Sequence, residues 1–380
     1  MTTLRVIIDQ MVGTVPGGIG RYAEELTREL IATAPRGCDV EGIVSKVPRE
    51  MADSVTSRLP GLARLTTLGL PRRELSRAWQ VGLATGARGR GMIHATSLLA
   101  PLRRIDRTNS LGEQVAVTIH DVVPWTHPET LTPHGVAWHK ALARRARRYA
   151  DAIVVPTHTV ASELSEIMNF GDRIRVIGGA AGSRLVLPTD AEVRAAALEL
   201  PDDFIVTVGT LEPRKGLGPL IKAMAHPDAP SFPLLIVGPP GWGDLDVAKL
   251  VSEAGLEPDR VRVMGFLSDS DLALVLDRAS LFVFPSLAEG FGLPVVEAMH
   301  FGTPVVHSDA PALLEVTAGA GLAVARDDAA GYPERLAQAM TTALGDTELY
   351  ERLSVAGYDR SHAFSWRDSA EKVWQLHADL

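Results

Sequence analysis

Phe284-Pro285-Ser286-Leu287-Ala288-Glu289-Gly290-Phe291-Gly292-Leu293-Pro294-Val295-Val296-Glu297-Ala298-Met299 sets two carboxylates eight positions apart across a glycine-rich turn. The apolar run 281–284 predicts a strand and Gly290 and Gly292 a turn. Pro294 predicts a helix start, because its fixed φ and missing N–H suit the first helical positions. Glu289 then lies on the loop and Glu297 about one turn into the helix. First-turn N–H groups lack intrahelical acceptors and are a common cradle for phosphate. A fixed carboxylate accepts hydrogen bonds from vicinal hydroxyls but repels a bare phosphate, so a ligand carrying both sugar and phosphate would use both halves of the segment.

Working outward, strand-like runs recur at 4–8, 40–44, 92–94, 115–119, 152–155 and 174–177, and again at 204–208, 234–237, 261–264, 281–284 and 304–307. Helical stretches separate them, as at 218–225, 245–254 and 269–277. This alternation predicts parallel sheets covered on both faces, and its repetition predicts an α/β chain of two Rossmann-like domains. We expect domains over 1–185 and 204–363, joined by a linker over 186–203 in which Pro188 and Pro201 flank a short alanine-rich helix. An amphipathic terminal helix over 364–380 carries Val373, Trp374 and Leu376 on its apolar side.

In such sheets ligands sit at strand carboxyl ends, and further segments fall there. Gly209-Thr210-Leu211-Glu212-Pro213-Arg214-Lys215-Gly216 follows the 204–208 strand and sets two adjacent cations where phosphate would be held; by itself the pair also fits a solvated loop. Gly13-Thr14-Val15-Pro16-Gly17-Gly18-Ile19-Gly20-Arg21-Tyr22 follows the first strand and opens a helix. Its glycines permit close approach of backbone to ligand, but it is neither a dinucleotide fingerprint nor a Walker loop. Thr118-Ile119-His120-Asp121-Val122-Val123-Pro124-Trp125 ends another strand. There His120 has three readings: general base, hydrogen-bond donor to a sugar, or packed core residue. Asp121 either orients His120 or caps the following turn. His94 and Ser97 are weaker candidates, and Gly265-Phe266 also reads as a turn with a core phenylalanine.

The Glu-x7-Glu spacing and its wording resemble the retaining GT-B glycosyltransferases of family 4, which use nucleotide-activated sugars, and the resemblance runs along most of the chain. It implies two Rossmann-like domains facing each other across a central cleft. Glu289 would face the donor sugar, with the Phe291, Gly292 and Leu293 amides near sugar and phosphate and Glu297 on the nucleotide ribose. The 209–216 segment resembles the family's Glu-x-Arg-Lys-Gly wording, which implies that Arg214 and Lys215, beside Gly209, neutralise charge on a leaving nucleoside diphosphate. Gly17 and Gly18 resemble the family's first loop, opposite the diphosphate. The His-Asp-x-x-Pro wording implies donor-sugar contact by His120, and Gly265 and Phe266 resemble the segment that meets the nucleotide base. Gly17, His94 and Asp121 fall on the acceptor side, and the terminal helix would cross back to the first domain. The three motif wordings together look most like mannosyltransferases of bacterial polysaccharide or lipid-linked glycan assembly. GDP-mannose is then the first donor and UDP-glucose the open alternative. The implied reaction moves a hexose to a hydroxyl of a glycan or lipid-linked acceptor with retention, by front-face attack.

Bulk properties agree with a large globular enzyme. The 380 residues exceed one ordinary core. The single cysteine, Cys38, leaves no intramolecular disulfide and no cysteine-based metal cluster. The histidines are scattered, so neither a metal nor another cofactor is expected. No apolar run approaches a membrane span, and Asp9 follows the first strand directly, so a cytoplasmic protein without a signal peptide is expected. The net charge of −8 conceals an asymmetry: residues 1–180 hold 23 Lys+Arg against 17 Asp+Glu, the remainder 15 against 29. Basic clusters at Arg72-Arg73, Arg103-Arg104 and Arg144–Arg148 suit either solvated helix faces or an anionic membrane at the inner face. The acidic total and sparse aromatics argue against nucleic acid. Two rivals remain. A glycoside hydrolase using Glu289 and Glu297 would need carboxyls about 5–5.5 Å apart and leaves the Arg-Lys pair without purpose. A catalytically silent sugar-nucleotide binder is disfavoured by the full set of site residues.

Overall fold

The computed structural model describes residues 2–13, 17–83, 91–105, 109, 112–241, 243 and 245–380. The chain divides into two compact units: Met1–Pro128, Pro133–Gly179 and Ser365–Leu380 form the first, and Glu129–Thr132 with Ala180–Phe364 the second. The first contains β1 (Thr2–Ile7), β2 (Cys38–Val44), β3 (Arg64–Thr67), β4 (Met92–Ala95), β5 (Gln114–Thr118), β6 (Ala152–Val155) and β7 (Ile174–Val176). They form a parallel sheet in the order β3-β2-β1-β4-β5-β6-β7. The second contains β8 (Ile205–Val208), β9 (Leu234–Val237), β10 (Val261–Gly265), β11 (Leu281–Phe284), β12 (Val305–Ser308) and β13 (Leu322–Val324). These too are parallel, in the order β10-β9-β8-β11-β12-β13. Each sheet therefore reverses its strand order once, between β1 and β4 in one and between β8 and β11 in the other. Such a reversal opens a crevice at the strand carboxyl ends.

The period of two explains why continuous apolar runs build these sheets. Leu281 and Val283 enter the core on one face of the second sheet, with Leu234, Ile236 and Leu336, while Phe282 and Phe284 enter the other, with Leu235, Val237 and Val295. A strand buried on both faces has no polar side to present.

Residues 186–203, expected as a linker, fall within the second unit's Ala180–Phe364 stretch. Leu185, Leu198 and Leu200 pack into its core, and the helix Ala191–Ala197 is fixed by Arg194, which pairs with Asp271 at 2.9 Å. The edge strands β3 and β13 escape the pattern reading because they are short and only partly buried, so their sequence carries little apolar periodicity.

The terminal helix Trp366–Asp379 belongs to the first unit. Ser365 caps it by accepting the Asp368 N–H, Trp374 Nε1 donates to the Leu30 carbonyl at 3.2 Å, and Ser369 Oγ donates to the Gly178 carbonyl at 3.0 Å. His377 Nδ1 donates to Gln114 Oε1 at 3.2 Å, and its ring meets that of His94 edge-on at 5.6 Å. His94, expected on the acceptor side, is fully buried on β4, where the His377 ring of the terminal helix meets it.

Burial and the neighbouring His377 hold His94 down at about 3, and burial holds His377 at about 4, both from an ordinary 6.5. Both rings are neutral in the folded chain, whereas the unfolded chain protonates them below 6.5. The unfolded state thus binds more protons between pH 6.5 and about 4, and stability falls as pH drops through that window. Each group contributes up to about 1.4 kcal/mol per pH unit. Denaturant titrations across this range should show the slope reduced by about one group's share in His94→Phe.

Candidate active site

The crevice between β8 and β11 is lined by the loops that leave those strands. Lys215 Nζ reaches Glu289 Oε1 at 2.6 Å and Arg214 Nη1 reaches the same oxygen at 3.0 Å. Ser286 Oγ donates to it as well, at 2.6 Å. Arg214 is gripped further by the Ala288 carbonyl on Nη1 and by Glu212 Oε1 on Nη2, each at 2.7 Å. Sequence distance is bridged by backbone: Leu287 N–H donates to the Arg214 carbonyl at 2.8 Å, Tyr332 Oη to the Pro285 carbonyl and Ser308 Oγ to the Ser286 carbonyl. Two loops more than seventy residues apart are locked into one site.

Glycine makes the approach sterically feasible. Gly216 has φ +68, and a Cβ there would stand 2.2 Å from the Pro285 carbonyl oxygen. Gly209 packs against the aliphatic stem of Lys215, whose ammonium lies 5.1 Å from the centre of the Phe284 ring.

Burial by itself would raise the Glu289 carboxyl. Arg214 and Lys215, with hydrogen bonds from Lys215 and Ser286, outweigh it and hold the group at about 2. Glu212 moves the other way: burial raises it, against the pull of Arg214 and Lys215. The site is a carboxylate fixed in its charged form beneath two cations.

Gly292, at φ +90, turns the chain into the helix Leu293–His300, with Pro294 in its first turn. The amides of Phe291, Gly292 and Leu293 stand at this N-terminus, where N–H groups have no intrahelical acceptor. Phe291 turns its ring inward, 5.4 Å edge-on from Phe364. A Glu297 that merely solvated a helix face would be exposed, but it is fully buried. Phe266 after β10 is 54% exposed, which removes it from the core, and Gly265 before it has φ +70 with open space at its Cβ position.

In the first unit, His120 Nε2 donates to the Thr96 carbonyl at 2.8 Å, and Tyr22 packs edge-on against its ring. The bond fixes the tautomer, and burial lowers the ring's pKa, so Nδ1 is left as an acceptor on a neutral imidazole. Asp121 caps the next turn through the Val123 N–H rather than orienting His120. Gly17 and Gly18 start the helix Gly18–Ala32 with nothing within 4 Å of a Cβ position, while residues 14–16 of that loop lie outside the described residues. Gln10 Nε2 reaches Ser97 Oγ at 3.4 Å across the reversal between β1 and β4, and Gln10 and the buried Asp9 both engage Arg72. Asp9, Gln10, Glu212 and Ser286 each stand just after a predicted strand, the one signal the sequence offers for them, whereas Arg72 enters from a basic cluster with no predicted strand before it.

Against the expectation that the chain has no Asp-x-Asp triplet, two occur, at 244–246 and 269–271. Asp246 caps a helix, Asp269 pairs with Arg184 and Asp271 with Arg194; Asp244 lies outside the described residues.

Comparison with known proteins decides the family. The profile described as Glycosyltransferase Family 4 matches residues 16–180, and that described as Glycosyl transferases group 1 matches 189–360. The chain is a family 4-like GT-B glycosyltransferase. It is 29% identical to the O-antigen chain mannosyltransferase B of Escherichia coli over 67% of this chain and 68% of that one. It is 26% identical to the MMP alpha-(1->4)-mannosyltransferase of Mycolicibacterium hassiacum over 94% and 93%. It spans 28% of the length of the longer serotype-specific mannosyltransferase WbdA of Escherichia coli. Sucrose-phosphate synthase from Thermosynechococcus elongatus shares the fold with a TM-score of 0.76 at 24% identity, over 100% of this chain and 99% of that one.

The relatives of this glycosyltransferase do not favour the hydrolase alternative, and Glu289 is no acid for it. A carboxyl held at about 2 carries no proton to give a leaving group at neutral pH. The glycine geometry offers a direct check on the site's construction. Gly216→Ala should destabilise the protein by at least about 2 kcal/mol in denaturant titration, through left-handed strain and collision with Pro285. Gly218→Ala, with nothing within 4 Å of its Cβ position, should not destabilise.

Proposed function

We propose that this glycosyltransferase moves a hexose, mannose in the first instance, from a nucleotide diphosphate sugar to a hydroxyl of a glycan or lipid-linked acceptor, with retention at the anomeric carbon. The observation that carries the reading is the pairing of Glu289 with Arg214 and Lys215 at the sheet reversal. Without ligand the carboxylate and the cations neutralise one another. A sugar diphosphate offers each a better partner: its phosphate oxygens take the guanidinium and ammonium, and its sugar hydroxyls donate to the released carboxylate.

When the bond from the sugar to the diphosphate breaks, negative charge grows on the leaving oxygen. Arg214, Lys215 and the amides at the start of Leu293–His300 supply positive charge there, in place of a metal ion. The acceptor oxygen bonds to the anomeric carbon on the face the diphosphate leaves, giving its proton to a diphosphate oxygen, and this same-face replacement gives retention. In this reading Glu297 holds the nucleotide ribose, Gly265 and Phe266 meet the base, and His120 contacts the donor sugar. Mannose is supported by those relatives that are named as mannosyltransferases.

The reading extends to a cytoplasmic enzyme resting on an anionic membrane to meet its acceptor. The helix Pro133–Tyr149 carries Lys140, Arg144, Arg145, Arg147 and Arg148 with no acidic residue. Beside it the helix Arg72–Gln80 adds Arg72, Arg73 and Arg77, followed by Val81 at 70% and Leu83 at 60% exposure. Exposed apolar side chains beside arginine-bearing helices suit a headgroup layer.

Thermal unfolding with GDP-mannose, UDP-glucose and the free diphosphates should show stabilisation by one nucleotide series, lost in Arg214→Ala. No shift with any of them at millimolar concentration would sink the reading. The membrane extension is checked by flotation: binding to vesicles containing phosphatidylglycerol, weakened by salt and in Val81→Ser/Leu83→Ser, and absent with neutral vesicles.

A further inference from the structure

Glu212 has no part in the chemistry described above, yet it is 1% exposed in the loop after β8. One oxygen accepts from Arg214 Nη2 at 2.7 Å, and the other is buried without a hydrogen-bond partner among the described residues. Burying a carboxylate this way is a poor route to stability, since apolar replacements of buried ion pairs are often neutral or better. Its effect is geometric. Arg214 is a planar fork tied on both terminal nitrogens, Nη1 to the Ala288 carbonyl and Glu289, and Nη2 to Glu212. Lys215 instead meets Glu289 through one ammonium at the end of a flexible stem.

We propose that Glu212 is a positioning residue that keeps the Arg214 guanidinium in register when Glu289 turns from the cations to the substrate. Arg214 then stays a fixed donor pair while Lys215 adapts. The inference rests on the reading of this crevice as a diphosphate-sugar cradle. It predicts that Glu212 matters in the transition state, when charge grows on the leaving oxygen, more than in donor binding.

The test compares mannosyl transfer from GDP-mannose by the full chain as wild type, Glu212→Gln, Glu212→Ala, Arg214→Ala and the double variant Glu212→Ala/Arg214→Ala. Glu212→Gln keeps an acceptor oxygen and should retain kcat within about threefold. Glu212→Ala should lower kcat by roughly 10–100-fold with donor KM changed by less than about threefold. The double variant should be no slower than Arg214→Ala alone, because Glu212 acts only through that side chain. If Glu212→Ala does not fold, Glu212→Met fills the volume without the acceptor. Wild-type kcat in the Ala or Met variant, a KM effect without a kcat effect, or losses that multiply in the double variant would each overturn the proposal. Full activity in Arg214→Ala would instead overturn the cradle reading on which it stands; loss there with no loss in Glu212→Ala overturns this inference alone.

Discussion

A carboxylate pressed against two cations in a buried crevice is the constraint around which the second unit is built. Glu289 shares one oxygen with Lys215, Arg214 and Ser286, and none of these residues is close to its partners in sequence except Ser286. Holding charge out of water is tolerable only when every partner is placed within a few tenths of an ångström. The surrounding features serve that placement: the left-handed Gly216 against Pro285, the Arg214 carbonyl bonded to Leu287, and the Tyr332 and Ser308 hydroxyls on the carbonyls of Pro285 and Ser286. The sheet supplies the coarse position, and these bonds supply the fine one.

The two units use the same topological opportunity with different chemistry. In each, the strand order reverses beside the first strand of the Rossmann-like half, and polar side chains meet across the gap. The second unit fills its gap with formal charge. The first adds amide, hydroxyl and a neutral imidazole to its Asp9–Arg72 pair, with Gln10 reaching Ser97 and His120 donating to Thr96. Charge suits a leaving diphosphate; neutral donors and acceptors suit hydroxyls.

Most of this was legible in the sequence where an apolar run met a glycine turn. Leu281–Phe284 with Gly290 and Gly292 announced strand, loop and helix, and the core strands of both sheets announced themselves by runs that leave no polar face. Position could not be read where only tertiary contact decides it. His94 looked available at a strand end until the terminal helix covered it, and Asp121 looked like a partner for His120 until its own turn claimed it. The stretch 186–203 resembled a linker because its prolines and short helix say nothing of what they pack against. Glu212 stood inside the quoted motif, but its burial depends on loops that meet only in the fold. The described members of the two Asp-x-Asp triplets are taken up by arginines and helix starts.

The central claim is that Glu289 exchanges Arg214 and Lys215 for the two ends of a sugar diphosphate. A crystal structure with intact GDP-mannose and no acceptor tests it most directly. The account predicts Arg214 and Lys215 nitrogens within about 3 Å of phosphate oxygens and a Glu289 oxygen within hydrogen-bond distance of a sugar hydroxyl. A donor seated elsewhere, with the Glu289 pairs to Arg214 and Lys215 intact, would contradict it.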